Sequence, residues 1–290
     1  MSKYLITFLS LLYFNFSFAG KVDSLSIYSN AMHRSYNCVV ITPDSYKKKK
    51  NFPVVYLLHG YSGAFSNWIK KVPRLKDYAD QYQLIIICPE GGYSSWYFDS
   101  PVDSTMKFET YISKEVPAFI DSHYKTVKDR RARAITGLSM GGHGGLFLGF
   151  RHSEFFGACG SMSGALVIDH ITDPRYEVDK RLGDTLENRH YYKELSIINE
   201  MEHLRKDSLS VIMDCGTEDN IIQMSREAHQ KMLDLKISHD YIERPGKHDW
   251  VYWANAIQYQ LLYFHNFFEG NDNKYNTMSA PGQKTKANKN

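Results

Sequence analysis

The chain has 290 residues, 43% of them hydrophobic and 23% charged, enough for one large core in a soluble globular protein. Lys and Arg outnumber Asp and Glu by 35 to 32, and a formal charge of +3 is too small to argue for a nucleic-acid partner or a strongly anionic surface. No H-E-x-x-H stretch or calcium-binding loop occurs, so neither a metal nor a cofactor is implied.

Residues 1–19 begin with a lysine-bearing stretch, turn apolar from Tyr4, and carry small residues at Ser17 and Ala19. That is the layout of a secretory signal peptide. Its apolar run is short for a membrane span and is interrupted by Asn15, and no later segment is long enough to cross a bilayer. The expectation is an exported, periplasmic or secreted protein with no stable membrane insertion after signal removal. Its globular domain covers 20–270. The run Lys47–Lys50 falls between two strand-like segments and reads as a solvated loop. Cys38, Cys88, Cys159 and Cys215 each sit in an apolar run, and none is arranged as C-x-x-C. They are expected to be buried thiols rather than bridges.

From residue 35 onward, strand-like runs alternate with segments of helical spacing. "SYNCVVITP", "FPVVYLLHG", "LIIICPEGG", "RARAITGLS", "GACGSMSG", "SVIMDCGTED" and "HDYIERPG" are short, and most are apolar on both faces, as central parallel strands are. The segments between them predict helices over 68–82, 108–124, 144–156 and 225–236. Such alternation predicts a three-layer α/β fold, a mostly parallel central sheet with helices on both faces. The charged stretch 166–208 breaks the rhythm and reads as an insertion over the strand ends, and 271–290 reads as a disordered tail.

One stretch, "AITGLSMGGHGG", carries chemistry. Gly137-Leu138-Ser139-Met140-Gly141 is a G-x-S-x-G pattern placed between a strand and a helix, where Ser139 would be held out as a nucleophile. By composition a chance match is expected on the order of 0.1 times in a chain of this length, so the placement matters more than the pattern. A phosphate cradle fits worse, because the G-K-[ST] ending is missing. A serine needs a base, and the partners of such an elbow follow in the order acid, then histidine. His248 opens "HDWVYW" after the final strand and is the candidate base; His59 reads as a brace. The acid lies after "SVIMD", with Asp214, Glu218 and Asp219 as candidates. Asp219 is favoured because it follows the Gly216 turn, whereas Asp214 still belongs to the strand. The backbone amides of Met140 and Tyr61 are the candidate oxyanion donors.

"VVYLLHGYSGAFSNW", "GGYSSWYFDSP", "ITGLSMGGHGGL", "MDCGTEDN" and "GKHDWVYW", in this order, resemble the esterase D-like branch of the α/β-hydrolases. That branch includes S-formylglutathione hydrolases, short-chain, feruloyl and acetyl-xylan esterases, and mycolyltransferases. The resemblance implies the triad Ser139, Asp219 and His248, and oxyanion amides at Tyr61 and Met140. It implies a serine carboxylesterase acting on a small-molecule or saccharide ester, and the signal-like segment makes it an exported one. Trp96, Tyr97 and Trp250, with Tyr61 and Trp253, lie on loops expected near the serine, where flat faces suit sugars and phenolic acids. The alternatives are an S-formylglutathione-type thioesterase, an acyltransferase, and a non-catalytic binding protein on the same fold. Oligomeric state is not legible in the sequence.

Overall fold

In the computed structural model, which describes residues 21–49, 51–204 and 209–278, eight strands build one sheet. They are β1 (Lys21–Ser29), β2 (Arg34–Thr42), β3 (Val54–Leu58), β4 (Ile85–Pro89), β5 (Arg133–Gly137), β6 (Ala158–Met162), β7 (Ser210–Gly216) and β8 (Asp240–Arg244). Their order across the sheet is β1-β2-β4-β3-β5-β6-β7-β8. The first two strands pair antiparallel with each other, and β2 pairs antiparallel with β4; all remaining pairs are parallel. The expected signal segment 1–19, Lys50, the end of the insertion at 205–208 and residues 279–290 lie outside the described residues.

Why these runs form central strands is visible in their alternation. Val54, Tyr56 and Leu58 of β3 enter the apolar layer on one face, while Val55 and Leu57 enter the layer on the other. A central strand of this kind is therefore apolar at most successive positions, which is what erases the ordinary two-residue pattern. Helices Val116–His123, Met140–Arg151 and Ile222–Leu235 cover the first face, together with the insertion. Helices Asn67–Lys71, Leu75–Gln81 and Trp250–Met278 cover the second. The three-layer α/β arrangement is the expected one, and all four cysteines are free and buried.

Three boundaries differ from the sequence reading. The helix predicted over 68–82 is two, broken beside Pro73, which has no N–H to donate and excludes the helical form in the residue before it. The helix predicted from 144 begins at Met140, directly after the serine. The segment read as a tail from 271 starts as helix, because Trp250–Met278 runs through it. Adding one hydrogen bond to an existing helix is far easier than starting one.

A buried polar group pins the C-terminal half of the sheet. Asp214 of β7 accepts from Gln260 of the last helix at 3.3 Å and pairs with Arg244 of β8 at 3.4 Å. Burial pushes its carboxyl up to about 6 against the lowering pull of Arg244 and Gln260. A carboxyl raised in the folded state adds stability below its ordinary value near 4 and loses it as pH rises through about 6. The stability of wild type minus that of Asp214→Asn is therefore expected to shrink from pH 4 to pH 7, by on the order of 3 kcal/mol. Denaturant unfolding of both proteins across that range checks this; a difference that is flat or grows with pH contradicts it.

Candidate active site

The chain crosses from β5 to the helix Met140–Arg151 at Ser139, whose backbone sits at φ 55°, ψ −116°. A serine in the left-handed half of the map costs about 1–3 kcal/mol and persists only if its surroundings enforce it. Here its N–H donates to the Met162 carbonyl at 3.0 Å, and its own carbonyl accepts from His143 N–H at 2.9 Å and Ala165 N–H at 3.3 Å. The crossing is so tight that a Cβ at Gly137 would lie 2.7 Å from Leu58 Cβ, and one at Gly141 2.7 Å from the Leu58 carbonyl oxygen. The motif glycines are thus fixed by contact with β3, and the Ser139 side chain is left open to a pocket.

Two loops bring the partners. Behind β7 and β8 the backbone is stitched: Thr217 N–H donates to Arg244 O at 2.8 Å, and Glu218 N–H to Gly246 O at 2.9 Å. Gly246 has φ 151°, and a Cβ at Gly216 would collide with its carbonyl. That seam sets the loop carrying Asp219 against the loop carrying His248. His248 Nδ1 lies 3.0 and 2.9 Å from the two Asp219 carboxylate oxygens, and Nε2 lies 2.9 Å from Ser139 Oγ. With Nδ1–H donated to the carboxylate, Nε2 offers its lone pair to the serine hydroxyl.

Burial raises the Asp219 carboxyl, but the hydrogen bond and charge of His248 and the Ile221 N–H outweigh it, and the net direction is below the ordinary value. The acid therefore stays ionised while His248 is being charged. Of the other acid candidates, Glu218 is exposed and Asp214 is occupied by Arg244 and Gln260. Trp253 stands edge-on to the His248 ring, with centroids 5.0 Å apart, and limits how the imidazole can turn.

The loop after β3 lies directly beside the elbow: a Cβ at Gly60 would be 3.5 Å from Ser139 Cβ. Its Gly60 carbonyl accepts from His59 Nδ1–H at 2.8 Å and Gly63 N–H at 3.0 Å. The C=O and the next N–H of a trans peptide point in opposite directions, so the Tyr61 N–H faces away from the His59 ring. On its other side His59 Nε2 lies 2.8 Å from the Gly91 nitrogen and 3.1 Å from the Glu90 carboxylate, while the Gly60 carbonyl requires the proton on Nδ1. His59 thus braces the loop. Among the described residues neither the Tyr61 nor the Met140 amide donates to a protein acceptor. Both remain available to a developing oxyanion.

The pocket around Ser139 measures about 640 Å³. Tyr61, Trp96, Trp250 and Trp253 line it, joined by insertion residues such as Ile171, Asp173 and Tyr176 and by Ile221 and Met224. A cleft of about 820 Å³ beside Glu109 and Arg151 is larger but contains none of the reactive groups. Tyr97 is the correction. It was expected at the substrate, yet it is fully buried and its hydroxyl donates to the His59 carbonyl at 2.9 Å. Trp96 and Tyr97 both have positive φ, 55° and 62°, and this double turn sends the indole toward the pocket wall and the phenol down between Gly91 and Gly144. The lining from the insertion was not named from sequence; "ITDPRY", with a proline turn between apolar and aromatic residues, was the available signal. His143 was also passed over: buried and lowered to about 4, its neutral ring donates to the Leu195 carbonyl at 3.3 Å and ties the elbow helix to the insertion.

Comparison with known proteins supports the same direction. A family model described as "Putative esterase" matches residues 29–264. An acetyl esterase of Caldicellulosiruptor saccharolyticus is 24% identical over 265 residues, covering 82% of this chain and 97% of that protein. A solved ferulic acid esterase superposes with a TM-score of 0.75 at 28% identity, over 86% of this chain and 99% of that one. An S-formylglutathione hydrolase from Agrobacterium tumefaciens shares the fold, with a TM-score of 0.76 at 18% identity over 88% of this chain and 98% of that one. Among the described residues no helix is long and apolar enough to cross a membrane.

Asp219→Asn is expected to lower kcat for an activated ester at least about a hundredfold, and Asp214→Asn much less. Equal losses would show that the acid is misassigned. Gly216→Ala, which must push the two loops apart, is expected to cost at least about tenfold in kcat although it alters no reactive group; steady-state kinetics with a wild-type kcat would contradict the seam.

Proposed function

The chain belongs to the esterase family described as "Putative esterase", and on that footing we propose that it is a serine carboxylesterase working through an acyl-enzyme. The observation that carries the reading is the unbroken relay from Asp219 through His248 to Ser139 Oγ, with links of 2.9 and 2.9 Å. Ser139 Oγ attacks the ester carbonyl while His248 Nε2 takes its proton. The Tyr61 and Met140 amides hold the oxyanion of the tetrahedral intermediate. His248 then gives the proton to the departing alcohol oxygen, and the C–O bond of the ester breaks. A water deprotonated by the same imidazole releases the acid. The His248 side chain keeps 25% of its surface exposed, so water can reach the base that activates it.

The proposed substrates are esters of small or hydroxycinnamic acids, including carbohydrate-linked acetyl and feruloyl esters. Two relatives carry names of that kind, acetyl esterase and ferulic acid esterase. An aromatic-lined cavity of about 640 Å³ has room for a phenolic acid, and the half-buried Trp250 offers a face for it. The signal-like segment 1–19 supports export as part of the proposal.

A fluorophosphonate is expected to label the wild type and to leave Ser139→Ala unlabelled. The same substitution, or His248→Ala, should lower kcat for p-nitrophenyl acetate at least about a thousandfold. A panel adding p-nitrophenyl butyrate, methyl ferulate, acetylated xylan and S-formylglutathione orders the acyl groups. A wild type that neither labels nor cleaves any of these rules the proposal out.

A further inference from the structure

The oxyanion loop presents a mechanical problem. The loop passes the elbow closely at residue 60, where a Cβ would lie 2.6 Å from the flexible Leu138 Cδ1 and 3.5 Å from Ser139 Cβ. Glycine there leaves the peptide joining it to Tyr61 free to turn over, and that turn would aim a carbonyl where the donor is needed. Ser62 follows at φ 54°, a conformation that also needs outside support. On the inner side support comes from the His59 ring on the Gly60 carbonyl and from the Tyr97 hydroxyl on the His59 carbonyl. The outer side has a different anchor. The Tyr61 hydroxyl donates to the Arg175 carbonyl in the insertion, and its ring stands edge-on between Tyr93 and Tyr176, with centroids 5.0 and 5.3 Å away.

The anchor is itself fixed. Trp96 Nε1–H donates to the Tyr176 carbonyl at 2.9 Å, and Ser94 Oγ–H donates to the Glu177 carboxylate. Glu177 adopts φ 54°, and the Arg181 guanidinium reaches it at 3.8 Å while pairing with Asp103 at 3.0 Å. Three successive insertion residues, 175, 176 and 177, are therefore bonded to the loops that follow β3 and β4. The same turn lines the pocket through Asp173 and Tyr176.

We propose that the Tyr61 phenol is a positioning residue for the reaction: bonded to the Arg175 carbonyl, it holds its own backbone amide in the donor orientation, so that the insertion completes the oxyanion site. The inference rests on the esterase reading above. It makes the 173–177 turn a fixed wall of the site rather than a lid that must open. The bond persists across ordinary pH, because the Tyr93 hydroxyl beside it, burial and the Glu177 charge hold Tyr61 up to about 12, a neutral donor.

The test is Tyr61→Phe in the full chain, which keeps the ring and the amide and deletes only the tether. With p-nitrophenyl acetate, kcat is expected to fall about tenfold while KM stays within about twofold, because a misaligned donor weakens the transition state more than the bound ester. Fluorophosphonate labelling should slow by a similar factor, since phosphonylation builds the same oxyanion. Ser94→Ala, which removes the bond tying Glu177 to the loop after β4 and leaves the pocket lining untouched, is expected to show the same pattern at about threefold. A wild-type kcat in Tyr61→Phe, with or without a lower Tm, overturns the tether while leaving the esterase reading intact. A wild type that neither labels nor turns over overturns both.

Discussion

Everything about this site depends on one backbone conformation that an L-residue resists. Ser139 is held at positive φ because β3, β6 and the start of the next helix leave the chain no other way through. The strain is local, on the order of 1–3 kcal/mol, and the neighbouring strands β3, β5 and β6 are buried along their whole length. The tight crossing has two effects at once. It exposes the hydroxyl at the C-terminal edge of the sheet, and it points the first free amides of a helix at the same spot.

The partners reach that spot by parallel topology rather than by sequence proximity. Side by side, β7 and β8 end at the same edge, and their following loops are sewn together before either reaches its functional residue. Asp219 and His248 are thus placed as a pair and presented to Ser139 as a unit. Asp214, only a few residues before Asp219, stays below the seam and serves the sheet through Arg244 and Gln260. Depth relative to one turn separates a structural aspartate from a functional one.

That distinction explains what could be read from sequence. The alternation of strand and helix survives in composition, and chain order brings Ser139, Asp219 and His248 forward because a fold of this topology leaves few other places for them. Tyr97 was misread because a loop position says nothing about which way a side chain faces when two successive residues adopt positive φ. The contribution of Arg175 was invisible for another reason. It uses a backbone carbonyl, which every residue has, so no side-chain pattern announces it. The helix running on to Met278 was missed because propagation from a packed helix needs no apolar periodicity of its own.

The chemistry assigned to the site is acyl transfer to Ser139 with the charge received by two backbone amides. A crystal structure of the protein after reaction with a small alkyl fluorophosphonate tests that most directly. The account expects phosphorus bonded to Ser139 Oγ, the phosphoryl oxygen within hydrogen-bond distance of both the Tyr61 and Met140 nitrogens, and His248 still on Asp219. Phosphorus on another residue, or a phosphoryl oxygen turned away from both amides, would contradict it.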